Sequence, residues 1–209
     1  MVEGLVGSGE ASAYLRFHRC VYRTMGWIAQ VIQDGRQPVT IQALDHLAEE
    51  WETSGLRGHG FEAYYRAHAE LMIAGAVKLA KRESGTYELE EWSVPLGPKK
   101  VTLTPDRVAV QPDGSVHIQR FRTGRRKKSE PDDPVYALLR KGAASRYSTA
   151  VSVETYYPAL DESVPTSSAK DTKGLQEYQD AIVGIEKGDF TKKVNAYCPS
   201  CPCYFICGA

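Results

Sequence analysis

The sequence lacks the features that mark membrane and secreted proteins. No apolar stretch approaches the roughly 18–20 residues that a membrane-spanning helix needs, and the first residues, MVEGLVGSGEAS, contain neither a basic segment nor an apolar one. Lysine and arginine total 26, as do aspartate and glutamate, so the formal net charge is zero. This balance disfavours a uniformly basic nucleic-acid coat but permits a local basic patch. We expect a cytoplasmic protein without membrane association.

The sequence also lacks repeats, low-complexity tracts and a convincing interdomain linker. Its 209 residues, 42% apolar and 25% charged, are typical of one folded domain. The residue types predict three parts of that domain: a helical part (1–83), a sheet core (84–157), and a C-terminal helix with a cysteine cluster (158–209). No nucleotide site is predicted, because Glu10 and Ala11 follow Gly4-x4-Gly9 where a phosphate loop needs Lys and Ser/Thr.

Hydrophobic periodicity predicts an α/β sandwich with a mixed central sheet flanked by helices. Apolar residues at three-to-four spacing indicate helices over 13–33, 40–51 and 61–81, and later over 134–145 and 175–187. Extended segments are predicted over 87–96, 101–110, 115–122 and 149–157, and residues 161–173 are expected to form a loop or an edge strand.

The turn at Gln111-Pro112-Asp113-Gly114 predicts a hairpin and its register. Pro, Asp and Gly in this order are typical of a type I turn that ends in a left-handed glycine, which makes a three-residue loop. That loop places Gln111 opposite Ser115 and Asp106 opposite Arg120. Even-numbered residues then share one face, which is apolar near the turn and charged at its far end. A two-residue loop would instead move Arg120 to the other face.

Cysteine placement predicts a metal site. There are five cysteines, with Cys20 alone near the start and four close together near the end: Cys198, Cys201, Cys203 and Cys207. A secreted disulfide framework would spread its cysteines along a shorter chain. Four thiolates suit an iron–sulfur cluster or structural zinc. A wholly local set of Cys198, Cys201, Cys203 and Cys207 is possible, although Cys201-Pro202-Cys203 leaves little room for a closed tetrahedral loop. Our prediction takes Cys203 as a non-ligand.

Two separated motifs resemble one nuclease family. Cys198-x2-Cys201-x5-Cys207, with Cys20 far upstream, resembles the iron–sulfur staple of RecB-family nucleases of the AddB type. The segments Pro105-Asp106-Arg107-Val108, Asp113-Gly114 and Phe121-Arg122-Thr123-Gly124-Arg125 are similar to the family core, G-x-x-D-R-V … D-G … D-Y-K-T-G. The resemblance implies a restriction-endonuclease-like fold of the PD-(D/E)XK superfamily. It also implies a 4Fe-4S cluster held by Cys20, Cys198, Cys201 and Cys207, with zinc as the alternative.

The chain departs from this family at the catalytic positions. Asp106 matches the first metal-binding carboxylate, but Arg120 occupies the second carboxylate position and Arg122 the lysine position. A guanidinium cannot bind a cation, and it stays protonated near neutral pH. We therefore expect no catalytic residues, only the remnant Asp106, which should pair with Arg120 across the hairpin.

DNA binding is the predicted remaining activity. Six of the nine residues from Arg120 to Lys128 are basic, which suits phosphate contact: Arg120, Arg122, Arg125, Arg126, Lys127 and Lys128. The segment is also similar to C-terminal domains of UvrD-type superfamily 1 helicases. This resemblance implies a helicase motor in cis or in trans, DNA repair or recombination, and single-stranded DNA or a duplex end as partner. Alternatively these are solvated loop charges, since Glu130, Asp132 and Asp133 follow directly.

Two other functions remain open from the sequence. The chain could be an active Mg- or Mn-dependent DNA exonuclease that recruits an acid from elsewhere, with Glu90 or Glu91 the nearest candidates. It could also be a structural docking domain without affinity for nucleic acid. The tryptophans are expected in the core, whereas Tyr64 and Tyr65 could belong either to the core or to a base-stacking surface.

Overall fold

Three helices form the first part of the fold. The computed structural model describes residues 12–83, 86–88, 90–124, 126 and 128–189. Helix α1 begins after Ser12, whose side chain accepts a hydrogen bond from the Leu15 amide and so satisfies one free donor of the first turn. The helices pack on one another through their apolar stripes, and they are α1 (Ala13–Gln33), α2 (Thr40–Glu52) and α3 (Glu62–Arg82).

A mixed five-stranded sheet forms the centre, as predicted. Its order is β1 (Thr86–Glu88), β4 (Arg107–Val110), β5 (Val116–Phe121), β6 (Val151–Tyr157) and β7 (Glu162–Pro165). Strands β5 and β6 are parallel and joined by helix α4 (Val135–Arg146), while the other pairs are antiparallel. Helix α5 (Asp171–Lys187) packs on α4. Strand β7 lies at the sheet edge, within the segment predicted to be a loop or an edge.

The prediction of one strand over 87–96 and another over 101–110 was wrong. Each segment divides between two sheets, because β2 (Trp92–Leu96) and β3 (Lys99–Leu103) pair only with each other. Gly97, at φ +64°, allows the tight turn between them. Trp92 and Val94 pack against α4 instead of continuing the central sheet, which explains the division.

The predicted hairpin between β4 and β5 is confirmed. The Gln111 amide donates to the Ser115 carbonyl at 2.8 Å, and Gly114 lies at φ +83°. Arg107 pairs with Gln119 and Val108 with Ile118, so the register places Asp106 directly opposite Arg120. Even-numbered residues of the hairpin bury their apolar side chains against α4.

Apolar cores lie on both faces of the central sheet. One core joins α1–α3 to Phe121 and Tyr156, and the other joins the hairpin to α4, β2 and β3. The carboxyl end of β5 therefore projects between two helical layers. No helix in the described part of the chain is long and apolar enough to cross a membrane.

Candidate functional site

Asp106 lies just before β4, at the charged end of the hairpin. Its Oδ2 accepts a hydrogen bond from the Phe121 amide at 2.8 Å, so the carboxylate fixes the end of β5. Burial raises the pKa of the Asp106 carboxyl, although this amide and the charges of Arg120 and Arg122 act in the opposite direction. The carboxyl group is thus placed in an environment that favours its neutral form.

Arg120 and Arg122 lie on the same face as Asp106 and pair with carboxylates from the next segment of the chain. Arg120 Nη1 lies 3.3 Å from Asp133 Oδ2, and Arg122 Nη2 lies 3.2 Å from the same oxygen. Arg122 Nε donates to Glu130. The predicted ion pair between Asp106 and Arg120 is not among the ion pairs of the described residues, where Asp133 at the start of α4 is the partner of Arg120.

Glu130 and Asp133 are held in place by α4 and β6. Glu130 begins a short 3₁₀ turn, is only 6% exposed, and accepts a hydrogen bond from the Tyr136 hydroxyl at 2.8 Å. That hydroxyl also lies 2.6 Å from Thr155 Oγ1. Asp133 Oδ1 accepts from the Val135 amide at 3.0 Å, which fixes the first turn of α4. These acids are therefore structural partners of Arg120 and Arg122.

The site is a charge network in which carboxylates compensate the two arginines. Three carboxylates surround two guanidinium groups, whose positive charge opposes the entry of a divalent cation. Within the described residues, no three His, Cys, Asp or Glu side chains are grouped so that they could hold a metal ion. Burial raises the pKa of the Tyr136 hydroxyl, which therefore remains a hydrogen-bond donor to Glu130.

The acids considered for an active exonuclease are not at this site. Glu90 pairs with Arg146 at the end of α4, and the Arg146 guanidinium lies over the Trp92 ring. Glu91 is exposed beside the start of β2. The acids that the structure brings to Arg120 and Arg122 are instead Glu130 and Asp133.

The loop after β5 carries the remaining predicted DNA contacts. Arg126 is exposed and pairs loosely with Glu162 at 3.3 Å. Lys128 is exposed and makes no ion pair with another described residue. Arg125 and Lys127 lie outside the described residues. Thr123 is anchored to α1, since its Oγ1 lies 2.7 Å from His18 Nδ1.

Of the predicted cysteine ligands, only Cys20 lies among the described residues. It sits on α1, is 3% exposed, and its Sγ contacts the Glu50 carbonyl oxygen at 3.6 Å. Burial raises the pKa of its thiol. Cys20 is a free thiol and is the only cysteine among the described residues. Cys198, Cys201, Cys203 and Cys207 lie outside the described residues.

Comparison with known protein families agrees with the geometry of the hairpin and its flanking helices. A family model of the PD-(D/E)XK nuclease superfamily matches residues 15–208, from the first turn of α1 through the cysteine-rich segment. A search of curated proteins found no match.

Proposed function

The chain belongs to the PD-(D/E)XK nuclease superfamily, and we propose that it binds DNA without cutting it. One observation carries this proposal: Arg120 and Arg122, opposite the remnant Asp106, are paired with Asp133 and Glu130. In an active site of this class, carboxylates hold a divalent metal that activates water. Here, the guanidinium groups of Arg120 and Arg122, with Asp133 and Glu130 as their counterions, take the place of that metal.

The network accounts for the loss of hydrolysis better than a simple substitution would. Replacing an acid by arginine changes the local charge by two units against cation binding. Glu130 and Asp133 then neutralise the arginines, so the fold tolerates them near its core. A metal would have to displace a guanidinium from a half-buried position before it could reach Asp106.

The loop cations divide into two groups as DNA contacts. Arg126 and Lys128 are exposed, and a phosphate can reach them without breaking a buried pair. Arg120 and Arg122 would have to exchange Asp133 and Glu130 for phosphate, so we expect a smaller contribution from them. Arg125 and Lys127 complete the predicted basic run. A helicase motor, in cis or in trans, would deliver the DNA strand in repair or recombination.

Nuclease assays with Mg²⁺ and with Mn²⁺ test the loss of catalysis. We expect no degradation of single-stranded or duplex DNA by the purified chain. Metal-dependent degradation that disappears in Asp106→Ala would overturn this proposal and favour an active exonuclease.

Restoring the acid and the lysine tests the cause of that loss. In Arg120→Asp/Arg122→Lys, the new carboxylate at position 120 joins those of Asp106, Glu130 and Asp133, and the guanidinium of Arg120 is gone, so Mn²⁺ should bind and raise the unfolding temperature. Lys100→Asp makes the same charge change on β3, away from the site, and should not gain Mn²⁺ binding. Failure of the double variant to bind Mn²⁺, with its fold intact, would show that the two arginines are not what excludes metal.

The salt dependence of oligonucleotide binding tests the DNA contacts. Each phosphate contact adds about one unit to the slope of log K against log salt. Lys128→Ala and Arg126→Ala should each reduce that slope by roughly one unit, whereas Lys100→Ala should not change it. If the chain binds neither single-stranded nor duplex DNA at low salt, it is a docking domain and the proposal is wrong.

We further infer that an iron–sulfur cluster joins α1 to the C-terminal segment, with Cys20, Cys198, Cys201 and Cys207 as ligands. Four cysteine thiolates are the usual ligand set of a 4Fe-4S cluster, and the family match extends through these cysteines. Anaerobically purified protein should be brown, with broad visible absorption. If the purified protein is colourless and contains zinc, the cysteines bind zinc and the iron–sulfur assignment is wrong.

A further inference from the structure

A groove of about 470 Å³ lies beside the loop that follows β5. One wall is built by the first turns of α1 and α3, and the other by the residues that follow Phe121 and Tyr157. The first wall is aromatic, with the side chains of Tyr14, Phe17, Tyr64, Tyr65 and His68. Arg122, Thr123 and Arg126 lie opposite. We call this feature the aromatic groove.

Three rings on the aromatic wall, those of Tyr64, His68 and Phe17, form a nearly parallel series. The Tyr64 and His68 planes differ by 17°, with centroids 6.1 Å apart, and the His68 and Phe17 planes differ by 21°. Phe17 is buried in the helical core, while Tyr64 is 67% exposed. The series therefore runs from the core to solvent and ends on the exposed ring of Tyr64. Spacing along α3 explains the pairing, because residues 64 and 68 are one turn apart.

Core packing accounts for Phe17 but not for the outer rings. Tyr14 is 53% exposed and sits against His18, with ring centroids 4.1 Å apart. Tyr14 and Tyr64 thus line the groove and expose more than half of their surface to solvent. Exposed aromatic clusters of this kind mark binding surfaces.

The opposite wall determines which ligand fits. Arg126 and, just beyond it, Lys128 bring positive charge to the rim of the groove. Aromatic faces beside a cationic track are what proteins use to bind single strands, since bases stack on the rings and phosphates follow the cations. A docked protein segment would need apolar area but no cations along one side. The bases of duplex DNA could not stack on these rings, because they are already stacked within the double helix.

We propose that the aromatic groove binds single-stranded nucleic acid, with bases stacked on Tyr64 and Tyr14 and phosphates held by Arg126 and Lys128. This inference rests on the proposed function and specifies its substrate class. It also assigns Tyr64 to a base-stacking surface, which the sequence alone left open.

Binding of a 12-nucleotide oligothymidylate, compared with an abasic strand of the same length, tests the stacking. Loss of one stacked base corresponds to about 10-fold weaker binding, or about 1.4 kcal/mol. Tyr64→Leu keeps apolar area but removes the π-face, so it should weaken oligothymidylate binding about 10-fold and leave abasic binding unchanged. Tyr64→Phe should bind like the wild type. Leu71→Ala, at an exposed position further along α3, is the matched control and should also bind like the wild type.

The outcomes separate this inference from the proposed function. If Tyr64→Leu binds oligothymidylate as tightly as the wild type, while Lys128→Ala still lowers the salt slope, DNA binding stands and the aromatic groove is not its base-binding site. The same loss in Tyr64→Leu for the abasic strand would also overturn stacking. If the wild type binds no nucleic acid at low salt, both proposals fail together.

Discussion

Asp106, which matches the first carboxylate position of the family, accepts a hydrogen bond from the end of β5. Its Oδ2 caps the Phe121 amide, and burial raises its pKa. Asn in its place can still accept that hydrogen bond through Oδ1. The charge of Asp106 is thus not needed for its contact with β5.

Asp106→Asn should therefore stabilise the protein at neutral pH. Because the folded-state pKa is raised, the favourable contribution of Asp106 is complete below its unfolded pKa, about 3.9, and is lost as pH rises through the folded value. Asn does not ionise, so Asp106→Asn avoids this loss of stability. The variant should therefore have a higher free energy of unfolding than the wild type at pH 7, and the difference should vanish in acid. Urea unfolding at several pH values measures it. A variant less stable than wild type at pH 7 would show that attraction to Arg120 and Arg122 outweighs burial.

Glu130 is the residue on which the charge network depends. Its side chain is almost fully buried and contacts both Arg122 and Tyr136. Glu130→Ala removes one of the two partners of the Arg122 guanidinium and of the Tyr136 hydroxyl, so it should lower the free energy of unfolding by about 2–3 kcal/mol. Asp132 is the control within the same turn. It pairs only at the surface with Lys170, and Asp132→Ala should cost less than about 0.5 kcal/mol. Equal decreases in the free energy of unfolding of Glu130→Ala and Asp132→Ala would contradict the central place of Glu130 in the charge network.

Glu130 and Asp133 also show which contacts of single residues could not be predicted from the sequence. The turn chemistry of Pro112, Asp113 and Gly114 predicted the face of Arg120, because backbone geometry is local. Glu130 and Asp133 were missed because their role depends on α4 returning beside β5. The one local signal was Asp133-Pro134, since aspartate before proline is typical of a helix start. A helix that starts there, as the next predicted element after β5, would have placed the Asp133 carboxylate beside the sheet.

Among the elements, four helices could be predicted to within about one residue, whereas α5 begins four residues before its predicted start at residue 175 and two strands were divided differently. The periodicity of residues 13–33 belongs to one helix and has no competing interpretation. Alternation within 87–96 and 101–110 is the same whether a segment stays in one sheet or passes into a second. Only the packing of Trp92 and Val94 on α4 decides between them, and that contact is not visible in the sequence.

The contact between α3 and the end of β6 leaves no room for a side chain at Gly75. A Cβ there would lie 1.9 Å from the Pro158 carbonyl oxygen, and the Tyr156 hydroxyl donates to the Gly75 carbonyl at 2.8 Å. Gly75→Ala should therefore lower the free energy of unfolding by about 3 kcal/mol or more, since backbone atoms must move. Gly26 lies on α1 with no atom within 4 Å of such a Cβ, so Gly26→Ala should gain about 0.5–1 kcal/mol.

Thermal and urea unfolding of the two variants measure this difference. The same substitution in two helices then separates helix propensity, which favours alanine at both positions, from the close approach at Gly75. If Gly75→Ala were as stable as the wild type, α3 would not pack on Pro158 as described.

Over the whole molecule, the proposed cluster connects the beginning of the chain to its end. Cys20 lies on α1 in the helical core, and the nearest partner in sequence is Cys198, so a shared cluster closes a loop that contains every strand. In the chain-entropy model, a cross-link over a loop longer than 100 residues contributes on the order of 4–5 kcal/mol. The cluster would thus stabilise the entire fold and not only the C-terminal segment.

Cys20→Ser and Cys203→Ser should therefore differ strongly. The first removes a proposed ligand, so visible absorption and bound iron should be lost and the unfolding temperature should fall. The second changes a cysteine predicted not to be a ligand, so colour, iron content and stability should stay close to those of the wild type. A local site would give the reverse pattern, with a protein indifferent to Cys20→Ser and damaged by Cys203→Ser. The cysteine-rich segment would then bind its metal by itself, and α1 would contribute only a buried thiol to the helical core.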